Sequence, residues 1–413
     1  MLPQALAYLG LLFNGKNRAK AFGCYGLTIG LSVAISQPIG GALINADIAG
    51  SDWRPIFLLN VPIGLVALAL LPRIAPMTRP KHAPRIDLIG TLPASSGLIA
   101  VVVALVEGRQ QHWPLWTLLC LAFALPLFLA FLGHQRMLRS QGIAPLVSLD
   151  IFKDQKSSVG LIITFIHYAV MTSFLLILAL YLQQGRHLDP LQSGLIFLPV
   201  GAGFFTAWIT ASAMIKRLRW QAVTVGALAV CVGYALLILG VYETGSNGSD
   251  AWIMPGLLVA GYGMGTVMSS VGPMVLKNTS AQEMTAASAL LATVMQMGSA
   301  VGVPAAAIIF YGTLGSAQSA FRHAFIVSML TLILFTLAVA LLAQFLSATI
   351  SARAAAHEVD SGQVVWPGRL QGGPWMTSEV IDTMQAAWER GQQNSQATAS
   401  EMRRSHARRR CRS

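Results

Sequence analysis

Residues 26–44 read GLTIGLSVAISQPIGGALI. The run holds no charged residue, as a membrane-crossing helix requires, yet it is crowded with Gly26, Gly30, Ser32, Ser36, Gln37, Pro38, Gly40 and Gly41. Lipid supplies no hydrophobic force between helices, so their association relies on van der Waals contact, and small residues four apart let two backbones approach. Gly26 and Gly30 form one such pair. Ser32, Ser36 and Gly40 form a second row, which Gly41 widens. Pro38 removes a backbone donor and can bend the helix where neighbours re-satisfy the freed carbonyl. Gln37 calls for a hydrogen-bonding partner inside the protein. The pattern predicts a helix that packs closely and can flex.

The rest of the chain has the same character. Of 413 residues, 54% are hydrophobic and 11% charged, and the mean hydropathy is +0.61; soluble domains carry about 25% charged residues. Ten long apolar segments stand out, roughly 21–46, 55–72, 87–106, 115–132, 158–182, 192–214, 222–241, 252–276, 285–312 and 324–348. A hydrocarbon core of ~30 Å takes about 20 helical residues; the 55–72 and 115–132 segments are marginal. A shorter run, 1–13, rises about 20 Å as a helix and reads as the cytoplasmic half of one. The fold class is therefore an all-α membrane protein, a polytopic helix bundle with about ten full transmembrane helices plus one partial.

The net charge of +12 follows from topology. All 28 Lys and Arg fall outside the long segments. Alternate connections (14–20, 73–86, 133–157, 215–221, 277–284) hold fifteen of them and the intervening connections four. Basic loops face the cytoplasm, which puts the tail after 349 on that side of the cell membrane and removes the case for nucleic acid. Residues 351–413 lose apolar periodicity and read as a basic, largely disordered tail. Within it SEVIDTMQAAWER suits a short amphipathic helix, and MRRSHARRRCRS suits contact with anionic lipid or plain solvation. Cys24, Cys120, Cys231 and Cys411 lie too far apart for a zinc pattern, and no secretory signal peptide is visible.

Just beyond the opening stretch lies SDWRPIFLLNVPIG. Together the two stretches resemble the major facilitator superfamily, in its fourteen-helix drug–proton antiporter branch. There a Gly-rich fifth helix, the antiporter motif, precedes Trp-Arg, Phe and Asn-Val-Pro-x-Gly. Gly23, Gly40, Gly41, Trp53, Arg54, Phe57, Asn60, Val61, Pro62 and Gly64 carry the match, followed in order by IDLIGTLP, APLVSLDIF, LALYLQQ, GLIFLPVGAG and MQMGSAVGVPAA. The motif departs at Ser36-Gln37-Pro38, where the family has Gly-Pro before x-x-Gly-Gly. The resemblance implies that MLPQALA is the second half of helix four and that helices one to three are absent. It assigns residues 1–72 to an N-terminal half, 73–157 to two linking helices and a cytoplasmic loop, and 158–350 to a six-helix C-terminal half.

The implied function is secondary active transport, a proton-coupled efflux of drugs or other small lipophilic or cationic compounds. Its partners are the small-molecule substrate, protons and the lipid bilayer. A chain that does not transport is the alternative. No HExxH, paired acidic motif, P-loop or ligand cluster suggests an enzyme, a cofactor or a metal. Of sixteen acidic residues only Asp87 touches an apolar segment, at its edge, where it suits a helix N-terminus. His167, mid-segment beside Tyr168, is the candidate proton carrier; a neutral His bonded between helices is the other reading. Asn60, Gln183, Gln184, Gln296 and Thr293 would add polar points to a cavity, and Phe204, Phe205 and Trp208 its aromatic walls.

Overall fold

A computed structural model describes residues 15–50, 53–74, 87–141, 154–218, 220–244, 249–276, 284–314 and 319–360. The 1–13 segment and the two tail sequences singled out above lie outside these. The described residues belong to a unit covering Met1–Ser351, apart from the end of the last helix, which lies in a second unit, Ala352–Ser413. No strand occurs among them.

Twelve α-helices follow in order: α1 Gly15–Asn45, α2 Arg54–Leu58, α3 Asn60–Ile74, α4 Leu88–Gln110, α5 Leu115–Ser140, α6 Gln155–Leu180, α7 Pro190–Ile196, α8 Leu198–Leu218, α9 Gln221–Thr244, α10 Met254–Val275, α11 Met284–Gly312 and α12 Ser319–Asp360. A wide turn, Tyr181–Gly185, extends α6. Nine of the resulting helical stretches are long and apolar enough to cross a membrane. The 55–72 segment departs from expectation: Arg54–Leu70 is a shorter apolar run, divided at Leu59 into α2 and α3. Pro62 accounts for the division, because its ring clashes with the carbonyl four residues back and it has no N–H to give. Asn60 Nδ2 donates to the Ile56 carbonyl, 3.5 Å away, across the gap.

Local chemistry sets the helix starts. Asp154 caps α6, accepting from Lys156 N at 3.3 Å and Ser157 Oγ at 3.0 Å. Asp189 and Gln192 make a reciprocal capping box on α7, with Pro190 in the first turn. Asn45 Nδ2, at the end of α1, donates to Asp189 Oδ1 at 3.3 Å, joining those two ends. Asp87 starts α4. It accepts from Gly90 N at 2.8 Å, from His134 Nε2 at 3.0 Å and from Gln135 Nε2 at 3.0 Å, tying α4 to the end of α5.

The tightly packed core lies in residues 157–346. Phe174, Ile177, Phe204, Tyr234, Leu257, Phe310 and Phe325 form one cluster, and Ile163, Val223, Val267, Leu291 and Ala343 anchor a second. The outward faces of α3, α4 and α5 are apolar and exposed, as lipid-facing surfaces are.

Two expectations follow. A Cβ added at Gly201 on α8 would overlap the backbone of Ala34 on α1, whereas one at Gly64 on α3 meets nothing within 4 Å. Gly201→Val should therefore destabilise the purified protein by about 1–3 kcal/mol, read as a lowered melting temperature in detergent, while Gly64→Val leaves it unchanged. At Asp87, burial pushes the carboxyl pKa up, but the hydrogen bonds from Gly90, His134 and Gln135 outweigh it and hold it below the usual range. A depressed carboxyl contributes stability above its unfolded value of about 3.9 and loses it as the pH falls through the folded value. Asp87→Asn should thus be less stable than wild type at neutral pH, and the gap should close below about pH 4.

Candidate functional site

Some of the functional candidates meet where α1 packs on the second half of the chain. Trp208, on α8, lays its ring across Gly26, leaving no room for a side chain there. One turn on, a Cβ at Gly30 would stand 2.9 Å from Phe205 Cα. Further along, Ala34 faces Gly201, Gln37 and Pro38 face Gly194, and Gly41 lies against the backbone of Pro190 and Leu191. Positions 26, 30, 34, 37 and 41 share one helix face, so α1 runs backbone to backbone along α8 and α7. The other small-residue row does not join this contact. Ser32 and Ser36 are exposed and bond back to the Thr28 and Val33 carbonyls, and Gly40 has only the tip of Ile56 within 4 Å. The Gln37 side chain is exposed as well. Gly23 lies within α1.

On its far side α8 presses equally closely against α10. Gly261 meets the Val200 backbone, and Gly265 sits 2.9 Å (measured from a built Cβ) from the Phe204 carbonyl. Phe204 is thereby a buried core residue, 2% exposed, and Phe205 is half-buried at the seam. The partner glycines Gly194 and Gly201 went unassigned in the sequence reading. Their signal was the phrase GLIFLPVGAG, in which they stand seven apart, two turns on one face.

His167 and Tyr168 are buried on α6, with ring centroids 5.9 Å apart and edge-on at 88°. His167 lines a narrow crevice of about 10 Å³ with Thr164, Tyr168, Met268, Val271 and Met295, close to the smallest space that holds one water. The imidazole reaches the Met264 backbone on one side; its Nε2 is buried without a hydrogen-bond partner. Tyr25 Oη and Trp208 Nε1 share that condition. Tyr25 precedes Gly26 on α1. Sequence reasoning missed Tyr25.

The remaining candidates lie apart. Gln183 is exposed about 24 Å along the helix axis from His167, donating to Ser193 Oγ at 3.4 Å, and Gln184 accepts from Tyr311 at 3.2 Å. Asn60 is exposed at the α2–α3 break, while Gln296 and Thr293 are exposed on α11. No group of three or more His, Cys, Asp or Glu able to hold a metal occurs among the described residues. Beyond the seam, Arg186, just past the extension of α6, pairs with Asp250 in the turn that leads into α10.

Three relatives have this general character. A Streptomyces coelicolor protein named "Probable actinorhodin transporter" is 29% identical over 327 residues, 78% of this chain and 56% of its own. "Multidrug resistance protein B homolog" of Mycobacterium tuberculosis is 30% identical over 64% of this chain and 49% of its own. "Tetracenomycin C resistance and export protein" of Streptomyces glaucescens is 24% identical over 76% and 57%. The chain thus spans about half the length of these curated relatives. The family model described as Major Facilitator Superfamily matches residues 1–149 and 160–388. With its multi-pass helical bundle and a match over most of its length, the chain belongs to the Major Facilitator Superfamily.

Proposed function

We propose that the protein is a secondary active transporter that exports drugs or other small lipophilic or cationic compounds across the cell membrane in exchange for protons. The observation that carries this reading is the glycine-faced seam between α1 and the α7–α8 pair, with buried, unpartnered polar atoms beside it. Such a seam is held by van der Waals contact between two helical halves, and separation along such a contact is what alternating access requires of them. The names of the relatives, which speak of multidrug resistance and antibiotic export, point the same way.

The division of labour assigns residues 1–72 to one half and 158–350 to the other, with 73–157 linking them and 351–413 on the cytoplasmic side. His167 carries the proton, aided by Tyr168. Asn60, Gln183, Gln296 and Trp208 contribute to the substrate path, and Gly26, Gly30 and Gly41 to the pivot. No covalent step is required of any residue.

Purified 413-residue protein in proteoliposomes should accumulate a lipophilic fluorescent cation when a proton gradient is imposed and release it on addition of an uncoupler. His167→Ala should lower the initial rate about tenfold, a loss of roughly 1.4 kcal/mol. A folded chain that never accumulates the cation overturns the transport reading in favour of a non-transporting one. Full pH-dependent transport by His167→Ala removes His167 from the mechanism.

A further inference from the structure

The narrow crevice beside His167 draws its walls from three helices: Thr164 and His167 from α6, Met268 and Val271 from α10, and Met295 from α11. At about 10 Å³ it has room for one water or one small ion. Several side-chain atoms among the described residues are buried without a hydrogen-bond partner, and of these His167 Nε2 alone belongs to a residue lining the crevice. Five of the others are hydroxyls, which can turn toward an acceptor; a ring nitrogen is fixed by its ring.

The form of that nitrogen follows from its neighbour. The other side of the imidazole reaches the Met264 backbone. Within α10 the Met264 N–H is spent on the helix, so the ring meets the carbonyl, which accepts a ring N–H. In a neutral imidazole one nitrogen donates and the other keeps its lone pair. Nε2 is therefore a bare lone pair on a ring held from behind by a carbonyl, the usual arrangement of a metal-ligating histidine.

The other donors are soft. Methionine ordinarily fills gaps in a core; Met268 and Met295 instead border a gap left open, each from a different helix. Thr164 already gives its proton to the Gly160 carbonyl at 2.8 Å. Thioether sulfur bonds water weakly but favours soft ions such as Cu(I) over hard ones. Charge narrows the choice further. Among the described residues no carboxylate lies in the spans away from their ends. The Born cost of burying an ion grows as the square of its charge, so a dication costs about four times as much as a monovalent ion.

We infer that His167 Nε2 and the sulfurs of Met268 and Met295 form a binding site for a soft monovalent metal ion, Cu(I) or Ag(I). The site goes beyond the transport reading and shares only His167 with it. A bound ion would occupy the nitrogen that the transport reading gives to the proton.

Cu(I), kept reduced with ascorbate and delivered from a chromophoric Cu(I) chelator, tests this on the full chain in lipid nanodiscs. Cysteine thiols also bind Cu(I), so the quantity read is the difference between chains with the same four cysteines. Wild type should withdraw one more equivalent from the chelator than Met268→Leu/Met295→Leu, a pair of substitutions that conserves volume. His167→Gln should lose the same equivalent. With Zn(II) in place of Cu(I), wild type and the methionine variant should not differ. Equal Cu(I) uptake by wild type and the folded methionine variant overturns the inference, leaving the crevice to water. Full uptake by a folded His167→Gln chain overturns it too. The leucine substitutions leave His167 in place, so their comparison decides the matter even if His167→Gln fails to fold. No proton gradient is imposed, so the efflux reading stands or falls separately, on uptake in proteoliposomes.

Discussion

Backbone contact between α1 and the α7–α8 pair is the constraint on which the arrangement around the candidate site depends. Water drives soluble helices together by expelling apolar surface; lipid does not, and a membrane bundle must gain its cohesion from atoms that touch. Gly26, Gly30 and Gly41 on one side and Gly194 and Gly201 on the other remove the side chains that would hold the axes apart. Because α8 uses Gly203 and its neighbours against α10 in the same way, it lies between two close contacts. The second contact belongs to the core shared by α6 and α8–α12, against which α1 also packs through Ile29 and Val33.

The same economy governs the polar groups. Thr28, Ser32 and Ser36 donate to carbonyls on their own helix and so tolerate an apolar exterior. Asp87 and Asp189, which must remain hydrated or paired, sit at helix ends where backbone N–H groups and side-chain amides meet them. Tyr25 Oη, Trp208 Nε1 and His167 Nε2 lack such a partner, as do the hydroxyls of Thr224, Tyr234, Ser270 and Ser328.

Legibility in the sequence follows the range of the forces involved. The long helices were readable because the thickness of the bilayer imposes a length and a composition on each of them separately. The break at Leu59 was harder to place: its cause, Pro62, lies inside an otherwise uniform apolar run. Spacing exposed the Gly26–Gly30 pair, yet Ser32, Ser36 and Gly40 satisfy the same rule and face outward. A four-residue interval defines a face of a helix and says nothing about what stands opposite it. Gly194 and Gly201 become intelligible only once α1 is laid beside them. His167 was visible as a titratable group far from any helix end, whereas Tyr25 resembled any other aromatic residue until the absence of a partner for its hydroxyl was known.

His167 occupies a different electrostatic setting from the other titratable groups. Among the described residues it is the one His, Lys, Arg or carboxylate that lies away from the ends of the spans. An imidazolium there would meet the Met264 backbone and a crevice close to the size of one water, with no carboxylate to answer its charge. Its stability would then depend on what solvates the crevice beside Tyr168. On the proposal that His167 carries the proton, its protonation and the opening of the seam are linked only so far as the two arrangements differ in solvating that crevice. The strength of that coupling is set by how differently the two arrangements solvate a single ring nitrogen.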